Sequence, residues 1–350
     1  MTTVAPPQQL VTSSSRPRTA LTLVILGVTL ALVLVVSAGV GAVRLSLSEV
    51  LRAILHPGEA GDAGVILFSL RLPRVLAAAL AGAGLSATGV LFQGLFRNPL
   101  ADPFVLGASG GAALGGAAAM FVFPTLSVAG VGASAMFAFA GALLTMAIVW
   151  SLARRSGQHG IENMLLAGFA IGTMLNAATS AFELVHEAAN PGARILAVWL
   201  YGQIGVPPWN QVSLITVVMI VAIVAALPLA RRLNTMALGD EYAAQLGVAV
   251  NRVRVQTVIV GALLTALAVS LGGLIGFVGL LVPHVLRLML GPDHFRLLPA
   301  AALGGAIFLV LADTAARTVF APLEIPVGIL TAFLGGPAFL YLLHHKRKAR

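Results

Sequence analysis

Side chains able to do chemistry are sparse in this sequence, and their types narrow what the chain can be. Cysteine is absent, which removes disulfides, thiolate metal sites and cysteine nucleophiles. Lysine occurs only at Lys346 and Lys348, in the C-terminal tail. A Walker A phosphate loop needs Gly-Lys-Ser/Thr, so the chain does not hydrolyse ATP by that route. The carboxylates Glu183, Glu187, Asp313 and Glu324 fall at the ends of apolar segments or in loops, not as a spaced pair for acid–base work. His284 follows Pro283 and shares a short segment with Arg287; it reads as a packing or solvated histidine rather than a metal ligand. His344 and His345 belong with the basic tail. Neither a catalytic constellation nor a metal site emerges.

Arginine is left as the informative residue type. Arg71 and Arg74 bracket Leu72-Pro73 at the mouth of an apolar run, and Arg317 sits just beyond another. Two readings stand side by side. The arginines snorkel at a membrane interface and pair locally, as Arg317 with Asp313 at i, i+4, or they receive carboxylates from an external partner, for which the guanidinium fork is suited. A second group lies in 229–254, LARRLNTMALGDEYAAQLGVAVNRVR, which holds Arg231, Arg232, Asp240, Glu241, Arg252 and Arg254 between long apolar runs. Asn234 can cap a short turn ended by Gly239, and Asp240 a second short helix ended by Gly247. With the apolar Met236, Leu238, Ala244 and Leu246, this stretch reads as a firm cytoplasmic platform for a partner protein.

The elements that must position these groups are membrane helices. Hydrophobic residues make up 59% and charged residues 9% of the chain, too little charge for a soluble domain of this length. Spanning segments need roughly 20 apolar residues and must satisfy their own backbone. The alternating ten-residue pattern of a β-barrel is missing, so the fold class is all-α and polytopic.

Residues 1–19 read as a disordered, Ser/Pro-rich tail. Ten helices then follow: Ala20–Val43, Arg74–Phe96, Val105–Phe123, Val128–Leu152, Met164–Leu184, Trp209–Leu229, Val255–Leu271, Phe277–Leu290, Leu297–Leu311 and Val327–Leu343. Residues 44–70 read as an external loop. Ile195–Ile204 is too short to cross, and re-enters or lies at the outer surface. The membrane-embedded body is thus 20–345, with a basic tail at 346–350.

Ten crossings put both termini on one side. With the N-terminus inside, 15 of the 21 Lys and Arg residues fall on inner segments, as the positive-inside rule requires. The same excess accounts for the formal charge of +9 as a topology signal, without nucleic acid as a partner. The platform then faces the cytoplasm. Glycine-rich runs at 82–89, 107–116 and 272–279 suit close helix approach. FQGLFRNP (92–99) and FVGLLVP (277–283) share Phe-x-Gly-Leu before a proline, which hints that helices 2–5 and 7–10 form an inverted repeat.

Three long runs carry a resemblance: 71–116 from RLPRVLAAALAGAG to GASGGAALGG, 273–318 from GLIGFVGLLVPHVLRL to ADTAART, and LEIPVGILTAFLGGPAFLYLL at 323–343. The chain resembles the FecCD/BtuC-type permeases, the membrane subunits of type II ABC importers for iron–siderophore complexes, haem and cobalamin. The resemblance implies a BtuC-like fold in the cytoplasmic membrane and a second permease subunit, identical or paralogous. It implies two ATPase subunits that hold ATP and Mg, an external substrate-binding protein, and no cofactor on this chain.

It also assigns site residues. Leu238, Gly239, Asp240, Glu241, Ala244, Gln245, Leu246 and Gly247 fall on the ATPase-coupling segment. Arg71, Arg74 and Arg317 fall on the arginines that dock the binding protein. Gly160, Ile161, Glu162 and Asn163 fall on a cytoplasmic gate, where some relatives carry Ser-Thr in place of Gly160-Ile161. A ferric siderophore is the first choice of cargo, then haem, then cobalamin. The rival class is an ion-coupled secondary transporter, which calls for ionisable residues near mid-membrane.

Overall fold

The computed structural model describes the chain apart from residues 1–14, 42, 44, 57–60, 100, 103, 105–106, 124, 129–130, 155–159, 190–197 and 349–350. Its helices are α1 (Ser15–Gly39), α2 (Leu47–Leu55), α3 (Gly61–Val65), α4 (Leu72–Leu95), α5 (Ala108–Val122), α6 (Ala133–Arg154) and α7 (Gly160–Ala189). They continue as α8 (Trp209–Met236), α9 (Asp240–Gln245), α10 (Val250–Gly272), α11 (Val278–Leu290), α12 (His294–Thr318) and α13 (Val327–Lys348). Among the described residues, ten helices of 13 residues or more follow the ten expected segments in order. Six stretches among the described residues are long and apolar enough to cross a membrane, and α5, α11 and the start of α13 are shorter apolar helices. The only strands among the described residues are Ser127–Val128 and Val131–Gly132, an antiparallel pair before α6.

α4 is the central post. Pro73 sits in its first turn, where the missing N–H costs nothing. Nearly every residue from Ala77 to Leu95 is buried, by α8, α10, α11 and α12 packed around it. Glycine lets these backbones touch. A Cβ on Gly82 would overlap the carbonyl of Gly305 in α12, and one on Gly89 would overlap the carbonyl of Gly279 in α11. Gly111 of α5 and Gly141 of α6 meet in the same way. With lipid supplying no hydrophobic drive between helices, such contacts gain dispersion through close approach. The glycine runs seen in the sequence are therefore helix crossings.

Several boundaries differ from the sequence expectation. α1 is helical from Ser15, one turn inside the segment expected to be a tail, and α13 carries on through His344 and Lys346 to Lys348. The described residues of 44–70 are largely helical rather than loop. Ser46 and Glu49 close a reciprocal capping box, with Glu49 N–H donating to Ser46 Oγ at 3.2 Å and Ser46 N–H donating to Glu49 Oε2 at 2.7 Å. That starts α2, whose Val50 and Ala53 pack with Ala38 and Leu67 into a small core of their own. A π-helical turn, Ile66–Arg71, then feeds α4. In residues 198–204, Trp199 lies against Gly116 and Gly273 and Ile204 is buried, while Tyr201 is exposed.

The halves α4–α7 and α10–α13 share a long–short–long–long order. The short helices α5 and α11 both begin at a residue with left-handed backbone, Gly107 (φ 73°) and Phe277 (φ 68°). The two Phe-x-Gly-Leu segments occupy different places, however. Phe92 is in the last turn of α4, whereas Phe277 precedes α11. Helix order and helix starts, not those short matches, carry the likeness between the halves.

Candidate functional site

Charged groups gather at the two ends of the bundle. At one end, α8 does not stop before Asn234 but runs through it to Met236, with Leu233 and Met236 buried. Asn234 is therefore not a cap. Its Nδ2 donates to Asp293 Oδ1 at 2.7 Å, and its Oδ1 accepts from His294 N–H at 2.9 Å. Asp293 in turn caps α12 by accepting from Phe295 N–H at 2.9 Å. The end of α8 is thus fastened to the start of α12.

The chain then turns at Gly239, whose φ of 121° suits glycine. Gly239, not Asp240, is the N-cap of α9. The expected pair of short helices is a helix extension followed by one six-residue helix. Gly247 ends it at φ 83°, with its N–H donating to Ala244 O at 3.0 Å and Val248 N–H donating to Ala243 O at 3.0 Å, the paired bonds of a Schellman stop. Asp240 turns back to the bundle, where its two carboxylate oxygens take Arg97, just past α4, and Arg254, in the first turns of α10. Ala243 is buried beneath the helix.

What faces out is apolar. Leu238, Tyr242 and Leu246 are 67%, 54% and 58% exposed; Leu238 precedes the Gly239 turn, while Tyr242 and Leu246 lie on α9 and its C-cap, with Glu241, Ala244 and Gln245 exposed beside them. Tyr242 and Leu246, four residues apart, share a face. Exposed apolar side chains gathered on and beside a braced helix at a charged surface have the form of a protein contact. Tyr242 was not singled out from sequence, although its place midway between Leu238 and Leu246 is the readable signal. From sequence Arg97 reads only as a topology charge and Arg254 as one of the platform's arginines, without its partner Asp240.

At the other end, Arg71 is buried, and its guanidinium donates to Ala38 O and Gly39 O at 2.8 Å each and also to Val43 O. It closes the end of α1, whose last carbonyls have no partner within the helix. Arg74 reaches Asp313 of α12 at 3.2 Å and Glu324 at 2.9 Å. Asp313 also meets Arg317 at 2.9 Å without an aligned hydrogen bond. Arg317 donates to Val40 O at 3.4 Å and Thr314 Oγ1 at 3.3 Å. The three arginines therefore lie together. Within the cluster Asp313 is buried and Glu324 is exposed.

Gly160–Asn163 form the first turn of α7, while the preceding residues 155–159 lie outside the described residues. Asn163 is half-buried. Among the described residues no group of three or more His, Asp or Glu side chains could hold a metal ion.

Comparison with known proteins gives one consistent answer. The model of the FecCD transport family matches residues 29–345. The hemin transport system permease protein HmuU of Yersinia pestis is 39% identical over 315 residues, 90% of this chain and 92% of the relative. The cobalamin import system permease protein BtuC of Halobacterium salinarum is 43% identical over 294 residues, 84% of this chain and 77% of the relative. A solved structure described as an inward-facing metal-chelate type ABC transporter superposes with a TM-score of 0.80 at 30% identity, over 93% of this chain and 99% of that one.

Proposed function

The chain belongs to the FecCD transport family, as a non-catalytic permease subunit of an ABC importer for an iron chelate, haem or cobalamin, and from that premise we propose how it works and what it carries. The cargo is an iron chelate, a ferric siderophore in first place. Haem is the second reading, favoured by the 39% identity to a hemin permease across nearly the whole chain.

The α9 platform is the ATPase contact, and the observation that carries this is its apolar patch at Leu238, Tyr242 and Leu246, exposed yet braced from behind by Asp240. ATP and Mg belong to two ATPase subunits there. The platform end and both termini are cytoplasmic, in keeping with the positive-inside excess of 15 among 21 basic residues. The arginine end then faces out, toward a substrate-binding protein. Arg74 and Arg317 receive that partner's carboxylates, while Arg71 shapes the surface by holding α1 in place. Gly160–Asn163 move with the start of α7 as the cytoplasmic gate, between α6 and α7, in an assembly with a second permease subunit.

ATP closing the ATPase pair and the loaded binding protein docking outside are the two ligands whose differential binding shifts the permease. The permease then requires no tight cargo site of its own. The test is uptake into proteoliposomes holding this chain, its ATPase and its binding protein. Uptake should follow ATP and ignore proton or sodium gradients. Gradient-driven uptake without ATP would instead establish a secondary transporter. The ligand that co-purifies with the binding protein names the cargo.

A further inference from the structure

A pocket of about 490 Å³ opens at the platform end, between the first turns of α1, the end of α8 and the start of α12. It is lined by Thr19, Ala20, Leu23, Arg231, Phe295 and Arg296, together with Asn234 and Asp293. Its charges are not balanced from within. The Asp293 carboxylate is used up: Oδ1 accepts from Asn234 and from Phe295 N–H, and Oδ2 faces Arg296 Nε at 3.2 Å. Arg231 lies with its guanidinium carbon 4.0 Å from the centre of the Phe295 ring, which orients the group while its charge stays open to solvent.

The depth of the pocket indicates the source of an anion. Arg16 and Arg18 are followed by a run without charge from Thr19 to Val43, so Thr19 and Ala20 lie where hydrocarbon gives way to headgroups. Leu21, Val24 and Ile25 beside them are 60%, 63% and 54% exposed, an apolar face along which an acyl chain can lie. The N-terminal tail cannot supply the anion, since residues 1–18 contain no Asp or Glu. We propose that Arg231 and Arg296 bind the phosphate of an anionic phospholipid, with its acyl chain against Leu23 and the outer face of α1. The site is separate from the α9 patch and from the arginine end, and it stands whichever leaflet this end faces.

The test uses the full-length chain in phosphatidylcholine nanodiscs with added phosphatidylglycerol, washed and then analysed for retained lipid. The native chain should keep phosphatidylglycerol preferentially. Arg231→Gln should lower that retention about fivefold, the weight of one arginine at an anionic surface, and Arg231→Lys should largely restore it. Arg232→Gln removes the same charge one residue away, outside the pocket, and should change nothing. Should Arg231→Gln fail to fold, Arg296→Gln serves in its place, and its loss should be at least as large because it also uncovers Asp293. Equal losses from the Arg231 and Arg232 variants would overturn the site in favour of diffuse attraction. Unaltered retention in both pocket variants would overturn it as well. Displacement of the lipid by millimolar inorganic phosphate would make this a free-phosphate site and overturn the lipid assignment.

Discussion

Removing the outward apolar groups of α9 should weaken ATPase docking without weakening the fold. Leu246 is 58% exposed in the chain alone. Fully burying a leucine gains about 1.5–3 kcal/mol, so a partner covering the exposed fraction gains roughly 1–2 kcal/mol from this side chain. Leu246→Ala should therefore raise the Kd for the ATPase about tenfold. Leu238→Ala, at 67% exposure, should do the same, and the pair should multiply if they contact separate parts of the partner. The assay is titration of purified ATPase onto the permease in nanodiscs, with thermal unfolding of the permease alone as a control. Because both leucines point away from the bundle, the melting temperature should stay at the native value. An unchanged Kd for both variants would refute the platform. A melting temperature that falls in step with affinity would show instead that the patch belongs to the core.

Glu324→Gln should tighten binding-protein docking by up to about fivefold, because it removes an exposed internal competitor of Arg74 worth no more than ~1 kcal/mol; titration at several salt concentrations checks this, and an affinity that does not rise excludes the competition. Arg71→Gln should lower the melting temperature, since it leaves the carbonyls of Ala38 and Gly39 without their donor, and a native melting temperature would remove the stapling role. Asp102, in the loop after α4, is buried with Oδ2 unpartnered, and desolvation raises its pKa to about 6 although Phe104 N–H donates to Oδ1. A folded pKa above the unfolded value means that ionisation costs stability, with no cost below about pH 4 and the full cost above pH 6. Asp102→Asn should therefore stabilise the protein at pH 8, by up to about 3 kcal/mol, with the gain vanishing at acid pH; a gain independent of pH would discard the ionisation account.

The fold was legible because its signals are long-range in composition and local in cause. Apolar runs of 20 residues set the helices, and the glycine runs around Gly82, Gly89 and Gly111 marked the crossings at which no side chain fits. What could not be read were groups whose partner lies far away in sequence. Asn234 is chemically a good cap, but its amide bonds across 59 residues to Asp293, and a charged tertiary acceptor outweighs a local backbone one. Asp240 likewise suits a cap, yet two arginines from α10 and the end of α4 draw it inward. Arg317 with Asp313 at i, i+4 was local and therefore readable; Arg74 reaching the same carboxylate over 239 residues was not. The helices of 44–70 escaped notice because a capping box and a short amphipathic turn carry little weight beside spans of 20 apolar residues.

The two charged ends are carried by the same helices, which constrains how a push at one end reaches the other. α4 starts at the arginine cluster and leads to Arg97, which holds Asp240 of the platform; α12 starts at the Asn234 junction and ends at Arg317. Between the ends these helices touch backbone to backbone at Gly82 and Gly305, leaving no side-chain layer to absorb a shift. Interfaces packed this closely move as bodies rather than deform. ATPase closure should therefore tilt α4, α8, α9 and α12 together against the neighbouring subunit. The absence of cysteine makes the check direct: spin labels at Leu238→Cys and Phe320→Cys, both exposed, placed together in one protomer beside an unlabelled one for the distance within it, and one on each protomer for the distance across the boundary. The distance within the protomer should hold on ATP binding while distances across the subunit boundary change by several ångströms. A change of that size within the protomer would show that α4 and α12 slide past each other, and the rigid linkage argued from Gly82 and Gly305 would be wrong.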